Sequence, residues 1–135
     1  MSPPEFTAKF RLEASVSPSE DPGKVAGALL SIIGRPLEVT VDGDRAALTT
    51  DDLGAISHIR DQLRDRHIRT AARRQLLLNG EGRTTFMMLN RQAAAAGVVA
   101  ICGSAEESPL GPVYATIESD HLAAVVDWLT AYEAG

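Results

Sequence analysis

The chain has 135 residues, 44% of them apolar and 23% charged, the make-up of one ordinary domain with enough interior to fold without disulfides or a structural metal. Thirteen Lys and Arg against eighteen Asp and Glu leave a net charge of −5, which argues against a protein that coats nucleic acid through overall charge. A single cysteine, Cys102, excludes an internal disulfide and any multi-cysteine zinc site and points to a reducing cytoplasm.

Met1-Ser2-Pro3-Pro4-Glu5 lacks the basic and apolar regions of a secretory signal, so the expected location is cytoplasmic. Phe6, Ala8, Phe10, Leu12, Ala14 and Val16 then alternate with polar residues, which predicts a strand with one buried side. Asp21 and Pro22 open a helix that carries Val25, Leu29, Ile32 and Ile33 at helical spacing until Gly34 and Pro36 stop it. Leu37, Val39 and Val41, then Ala46 to Thr49, flank Asp42-Gly43-Asp44 and predict a hairpin. Thr50 or Asp51 is expected to cap a helix with Leu53, Ile56, Ile59 and Leu63 on one side. Helical character continues to Leu78, with a break near residues 67–70, a fresh cap at Thr70, and a stop at Asn79-Gly80. Arg83 to Leu89 predicts a buried strand, Arg91 to Ala96 a short helix, and Val98 to Cys102 another strand. Residues 103–112 read as a loop, followed by a strand with Val113, Ala115 and Ile117 on one side. Ser119 or Asp120 caps a last helix along Leu122, Val125, Val126, Leu129 and Tyr132. The expected fold class is α+β: one domain over residues 1–135, its core about 6–132, with a single mixed, mainly antiparallel sheet and helices mostly on one face. The other face is left wet or free for a partner. The longest nearly unbroken apolar run, Ala93 to Cys102, is too short to cross a bilayer as a helix, so no membrane partner is expected.

Charge is unevenly spread. Residues 60–74 hold six arginines, Arg60, Arg64, Arg66, Arg69, Arg73 and Arg74, against Asp61 and Asp65, a net +4, while the remainder of the chain carries −9. Guanidinium groups stay charged and grip phosphate oxygens two at a time, and Arg60, Arg64 and His67 follow i, i+4, i+7 along one helix border. The segment is therefore a candidate RNA-backbone site. The competing readings are a solvated helix, with Asp61–Arg64 and Asp65–Arg69 pairs, and a protein–protein interface in a structural or regulatory homo-oligomer. Aromatic rings are few, Tyr114 being the one placed to stack, so any recognition is of backbone and shape.

Chemistry-bearing constellations are sparse, and no enzyme, cofactor or metal is expected. Cys102 ends an apolar strand with no histidine near in sequence, and reads as a buried, inert thiol. His58, His67 and His121 show no metal spacing. Glu106-Glu107 lie in a loop, and Gly80-Glu81-Gly82 matches no phosphate-binding fingerprint. Asn90-Arg91-Gln92 either caps the short helix or reaches a small anion together with the 103–112 loop, whose Ser108-Pro109-Leu110-Gly111-Pro112 is stiffened by two prolines.

Four ordered blocks, Glu20-Asp21-Pro22 with Lys24-Val25, Arg66-His67-Ile68-Arg69-Thr70-Ala71-Ala72-Arg73, Leu89-Asn90-Arg91-Gln92-Ala93-Ala94 and Ser108-Pro109-Leu110-Gly111-Pro112, make the chain similar to uncharacterised protein family 0201. The similarity runs from about Phe6 to Leu129, with Arg91 where the family more usually has lysine. The resemblance implies an archaeal cytosolic protein of α+β fold similar to ribosomal protein L-five, labelled as RNA-binding and commonly a homodimer. On the charge distribution, the expected RNA partner is rRNA or tRNA, held by Arg60, Arg64, Arg66, Arg69, Arg73 and Arg74, with Arg91 and Lys24 as auxiliaries.

Overall fold

The computed structural model describes residues 7–34, 36–65 and 68–130, with only the backbone described for Leu53, Arg64 and Asp65. The elements are β1 (Lys9–Ser15), α1 (Pro22–Ile33), β2 (Thr40–Asp42), β3 (Arg45–Thr50), α2 (Leu53–Asp65), α3 (Arg69–Leu78), β4 (Thr84–Leu89), α4 (Arg91–Ala95), a 3-10 turn at Ala105–Glu107, β5 (Val113–Glu118) and α5 (Leu122–Leu129). The strands form one sheet in the order β2-β3-β1-β5-β4, and every neighbouring pair is antiparallel. Because β3 lies between them, β1 and β2 run parallel, joined across β3 by α1, a split β-α-β unit. The expected α+β class holds, and the ladders are wholly antiparallel.

The period of two sets which face is covered. Phe10, Leu12 and Ala14 of β1 are buried, as are Ala46 and Leu48 of β3, Val113, Ala115 and Ile117 of β5, and Thr85, Met87 and Leu89 of β4. Register aligns them across the strands, with Leu12 opposite both Leu48 and Ala115, and Met87 opposite Ala115. Above them pack Leu29, Ile32 and Ile33 of α1, Ile56, Ile59 and Leu63 of α2, Leu76 of α3, and Val125, Val126 and Leu129 of α5. On the opposite face the alternate residues are exposed or half-exposed.

Local capping largely follows the sequence. The Asp21 carboxylate accepts from the Gly23 amide at 2.9 Å, and Gly34 closes α1 at φ 72, a conformation glycine adopts without strain. The cap of α2 is neither Thr50 nor Asp51: Asp52 accepts from the Gly54 amide at 2.9 Å, and its own amide donates to the Thr50 hydroxyl at 3.1 Å. The break between α2 and α3 falls as expected, but Ile68 stands at the N-cap of α3 and no side chain caps it. For α5 the cap position is His121, whose amide donates to Ser119 Oγ at 2.9 Å. Phe6, Arg66, His67 and Tyr132 lie outside the described residues.

The strand expected at Val98 to Cys102 does not form. The Asn90 amide donates to the Ala100 carbonyl and the Cys102 amide to the Met88 carbonyl, but these leave only a single bridge, Leu89 to Ile101. The reason is Gln75 of α3: its Oε1 accepts from the Met88 amide at 2.8 Å and its Nε2 donates to the Cys102 carbonyl at 2.6 Å. A side-chain amide thus sits where the next ladder bond would form. Asn79 extends the device along the same edge, donating to the Phe86 carbonyl at 3.0 Å. Between them the two amides close an edge that would otherwise offer itself for pairing. No helix among the described residues is long and apolar enough to cross a membrane.

Candidate nucleic-acid interface

The arginines of the basic segment divide by what their tips touch. Arg60 is turned inward: only 8% exposed, it donates Nε to the Trp128 carbonyl at 2.8 Å and its guanidinium lies 5.8 Å from the centre of the Trp128 ring. It therefore closes the C-terminal end of α5, where carbonyls lack helical partners and a cation is favoured. Arg73 pairs with Asp127 of the same helix at 2.6 Å. The row expected from Arg60, Arg64 and His67 thus begins with a residue committed to the interior, while the side chains of Arg64, Arg66 and His67 lie outside the described residues.

Arg69 and Arg74 of α3 are different. Both are exposed, and no carboxylate among the described residues pairs with either. Arg69 opens α3, whose unsatisfied amides add a partial positive charge. Lys24 is also exposed, but it stands on the first turns of α1 beside Glu20 and Asp21.

Arg91 is committed on several sides at once. It is 7% exposed. One terminal nitrogen donates to the Leu110 carbonyl at 3.0 Å, and to Ser15 Oγ at 3.4 Å. The other reaches both oxygens of Glu20 at 2.9 Å, and the Ser15 carbonyl. Arg91 therefore ties the start of α4 to the end of β1, the approach to α1 and the 103–112 loop. Asn90 caps α4 by accepting from the Ala93 amide at 2.8 Å, so the capping reading of this turn holds. Gln92 is exposed at the rim of a cleft of about 410 Å³ that also includes Lys24, Val25 and Leu110. The Ser108–Pro112 segment is fixed as a turn, with Ser108 Oγ donating to the Gly111 carbonyl at 2.7 Å and Gly111 at φ 89.

The open sheet face carries charges of both signs. Glu13 is bridged by Arg11 at 2.7 Å and by Arg45, and Lys9 and Glu118 lie opposite one another across β1 and β5. Tyr114 is 37% exposed and meets Phe86 edge-on, ring centres 6.0 Å apart. Cys102 is buried and donates to the Ser104 carbonyl at 2.9 Å. Burial pushes its thiol above the usual range, against the opposing pull of the Ser104 backbone on the thiolate.

Sequence reasoning passed over Leu77 and Leu78, which are 60% and 76% exposed at the end of α3. The signal was present: the buried stripe of α3 is Ala72 and Leu76, and neither leucine keeps that spacing.

No family model matches the chain. Among curated proteins it is similar to a UPF0201 protein of Sulfurisphaera tokodaii, 36% identical over 125 residues, covering 90% of this chain and 86% of that one. A UPF0201 protein of Methanothermobacter thermautotrophicus is 36% identical over 123 residues, covering 90% and 89%. Among solved structures, the UPF0201 protein from Methanococcus jannaschii superposes with a TM-score of 0.74 at 24% identity, covering 90% of this chain and 98% of that one. An uncharacterized UPF0201 protein gives 0.75 at 20% identity, covering 93% and 94%. Identity above a third across nine-tenths of the chain places this protein in the UPF0201 family.

Proposed function

We propose that the protein is a cytoplasmic, non-catalytic module that binds the backbone of structured RNA, rRNA or tRNA, through the exposed arginines of α3. The observation that carries this reading is the contrast within one segment: Arg60 and Arg73 serve the fold, whereas Arg69 and Arg74 stand exposed without a carboxylate partner among the described residues. Arg64 and Arg66 continue the basic run in sequence. Arg91, committed to Glu20, contributes to the fold and not to the contact. Two to four neutralised phosphates give log affinity a slope of roughly −1.4 to −3.6 against log salt, spanning the single-strand and duplex coefficients. Fluorescence anisotropy with labelled bulk tRNA and a ribosomal RNA hairpin tests this. Arg69→Glu with Arg74→Glu is expected to abolish binding with the thermal transition unchanged; unaltered affinity, or a flat salt dependence, overturns the reading.

A homodimer is the second reading, and the open sheet face favours it. Tyr114 and the Arg11–Glu13–Arg45 group offer an aromatic contact and both signs of charge, as a self-complementary surface needs. Sedimentation equilibrium is expected to give a dimer for the wild type and a monomer for Tyr114→Glu. A monomeric wild type, or a variant that stays dimeric, removes this reading.

A further inference from the structure

At 3.6 residues per turn, Thr70, Ala71, Arg74, Leu77 and Leu78 share the arc of α3 opposite the buried Ala72 and Leu76, and all five are exposed. Arg74 is at the middle of this arc, with a leucine to each side. Phosphate recognition accounts for Arg74 but has no use for two adjacent leucines, and an ordinary solvated helix has a polar outer face. The arc's one ionisable residue is Arg74, and no carboxylate among the described residues pairs with it.

We propose that this outer face of α3 is a docking surface for an acidic, leucine-rich helical segment of a partner protein. Charge complementarity selects the occupant. The partner's carboxylates meet Arg74 while its apolar side chains cover Leu77 and Leu78, which stand i, i+3, i+4 on one side of α3. A second copy of this chain fits poorly. Twofold pairing centred on Arg74 sets it against its own counterpart, and a head-to-tail contact builds open-ended chains unless its rotation closes a ring. Small residues at positions 70 and 71 let the incoming helix approach closely. The surface goes beyond RNA binding but shares Arg74 with it, so the two occupants compete for that residue while the leucines belong to one alone.

The experiment uses a phage-displayed random peptide library selected on the wild-type protein after depletion on Leu77→Ser with Leu78→Ser. Enrichment of peptides combining glutamate or aspartate with leucine-like residues at helical spacing is the expected result. Their affinity, measured by anisotropy, is expected to fall about tenfold or more per leucine removed, and similarly with Arg74→Glu. No enrichment, enrichment of basic peptides, or peptides bound equally by the leucine variant overturns the proposal. Binding of labelled tRNA distinguishes the two surfaces: Arg69→Glu weakens RNA and spares the peptide, and the leucine variant does the reverse. If the leucine variant loses RNA instead, or if it dissociates a dimer, the occupant is RNA or a second copy and the proposal fails.

Discussion

Replacing Arg91 by methionine keeps most of the side-chain length and removes the charge. In the folded protein the loss strands Glu20, whose side chain is only 15% exposed, and leaves the Leu110 and Ser15 carbonyls without their shared donor. Breaking one side of a buried ion pair costs about 3–5 kcal/mol, and a hydrogen bond from a charged group about 1.5–3 kcal/mol. These overlap in one side chain, so the net expectation is about 4 kcal/mol, a large share of the 5–15 kcal/mol that holds a domain together. The assay is urea unfolding followed through Trp128, the chain's one tryptophan, with the midpoint falling and the slope unchanged. Arg91→Lys keeps the charge but loses the forked geometry that reaches Glu20 and Leu110 together, and is expected to cost about half as much. Glu20→Gln in the Arg91→Met background completes a double-mutant cycle. A loss below about 1 kcal/mol for Arg91→Met, or strictly additive effects of the pair, would refute the assignment of Arg91 as the tie between α4, β1 and the 108–112 turn.

Three further outcomes follow from the geometry. Gly34→Ala is expected to cost about 2 kcal/mol or more by thermal unfolding, because the residue sits at φ +72 and a Cβ would lie 2.6 Å from the His58 ring; His58→Ala relieves the contact but not the backbone strain, about 1–2 kcal/mol. Gln75→Ala removes the amide joining Met88 to Cys102 and is expected to cost about 2 kcal/mol, with the Met88 amide showing the largest rise in hydrogen exchange. Because burial raises the Cys102 thiol's pKa, its thiolate is scarcer at neutral pH than that of an ordinary cysteine, and alkylation by iodoacetamide is expected to be slow, to keep rising with pH beyond where an ordinary cysteine levels off, and to accelerate on unfolding.

What was legible in the sequence is what repeats locally. The alternation of β1 names its buried residues one by one, and Asp21, Pro22 and Gly34 mark both ends of α1 because capping acts within a few residues. Nothing local reveals where an arginine tip goes. Arg60 finds a carbonyl 68 positions away, Arg73 a carboxylate 54 away and Arg91 a carboxylate 71 away, so a count of nearby acids overstates how many cations are free. The missing strand at 98–102 has the same origin: its apolar composition suits a strand, but a glutamine from α3 occupies the edge it would have joined. Leu77 and Leu78 were readable, as hydrophobic residues off the helical stripe, and the run of leucines concealed them.

The order of strands in the sheet bears on how the chain emerges from the ribosome. β1 can join β3 early, but its other neighbour, β5, is the last strand made, with Lys9 aligned to Glu118. β4 pairs with β5 alone, so until translation delivers that final strand the nascent polypeptide carries β4 without a ladder and β1 with one side bare. Completion of the sheet thereby waits for β5, and the interval before it is when this protein most needs shelter from its neighbours.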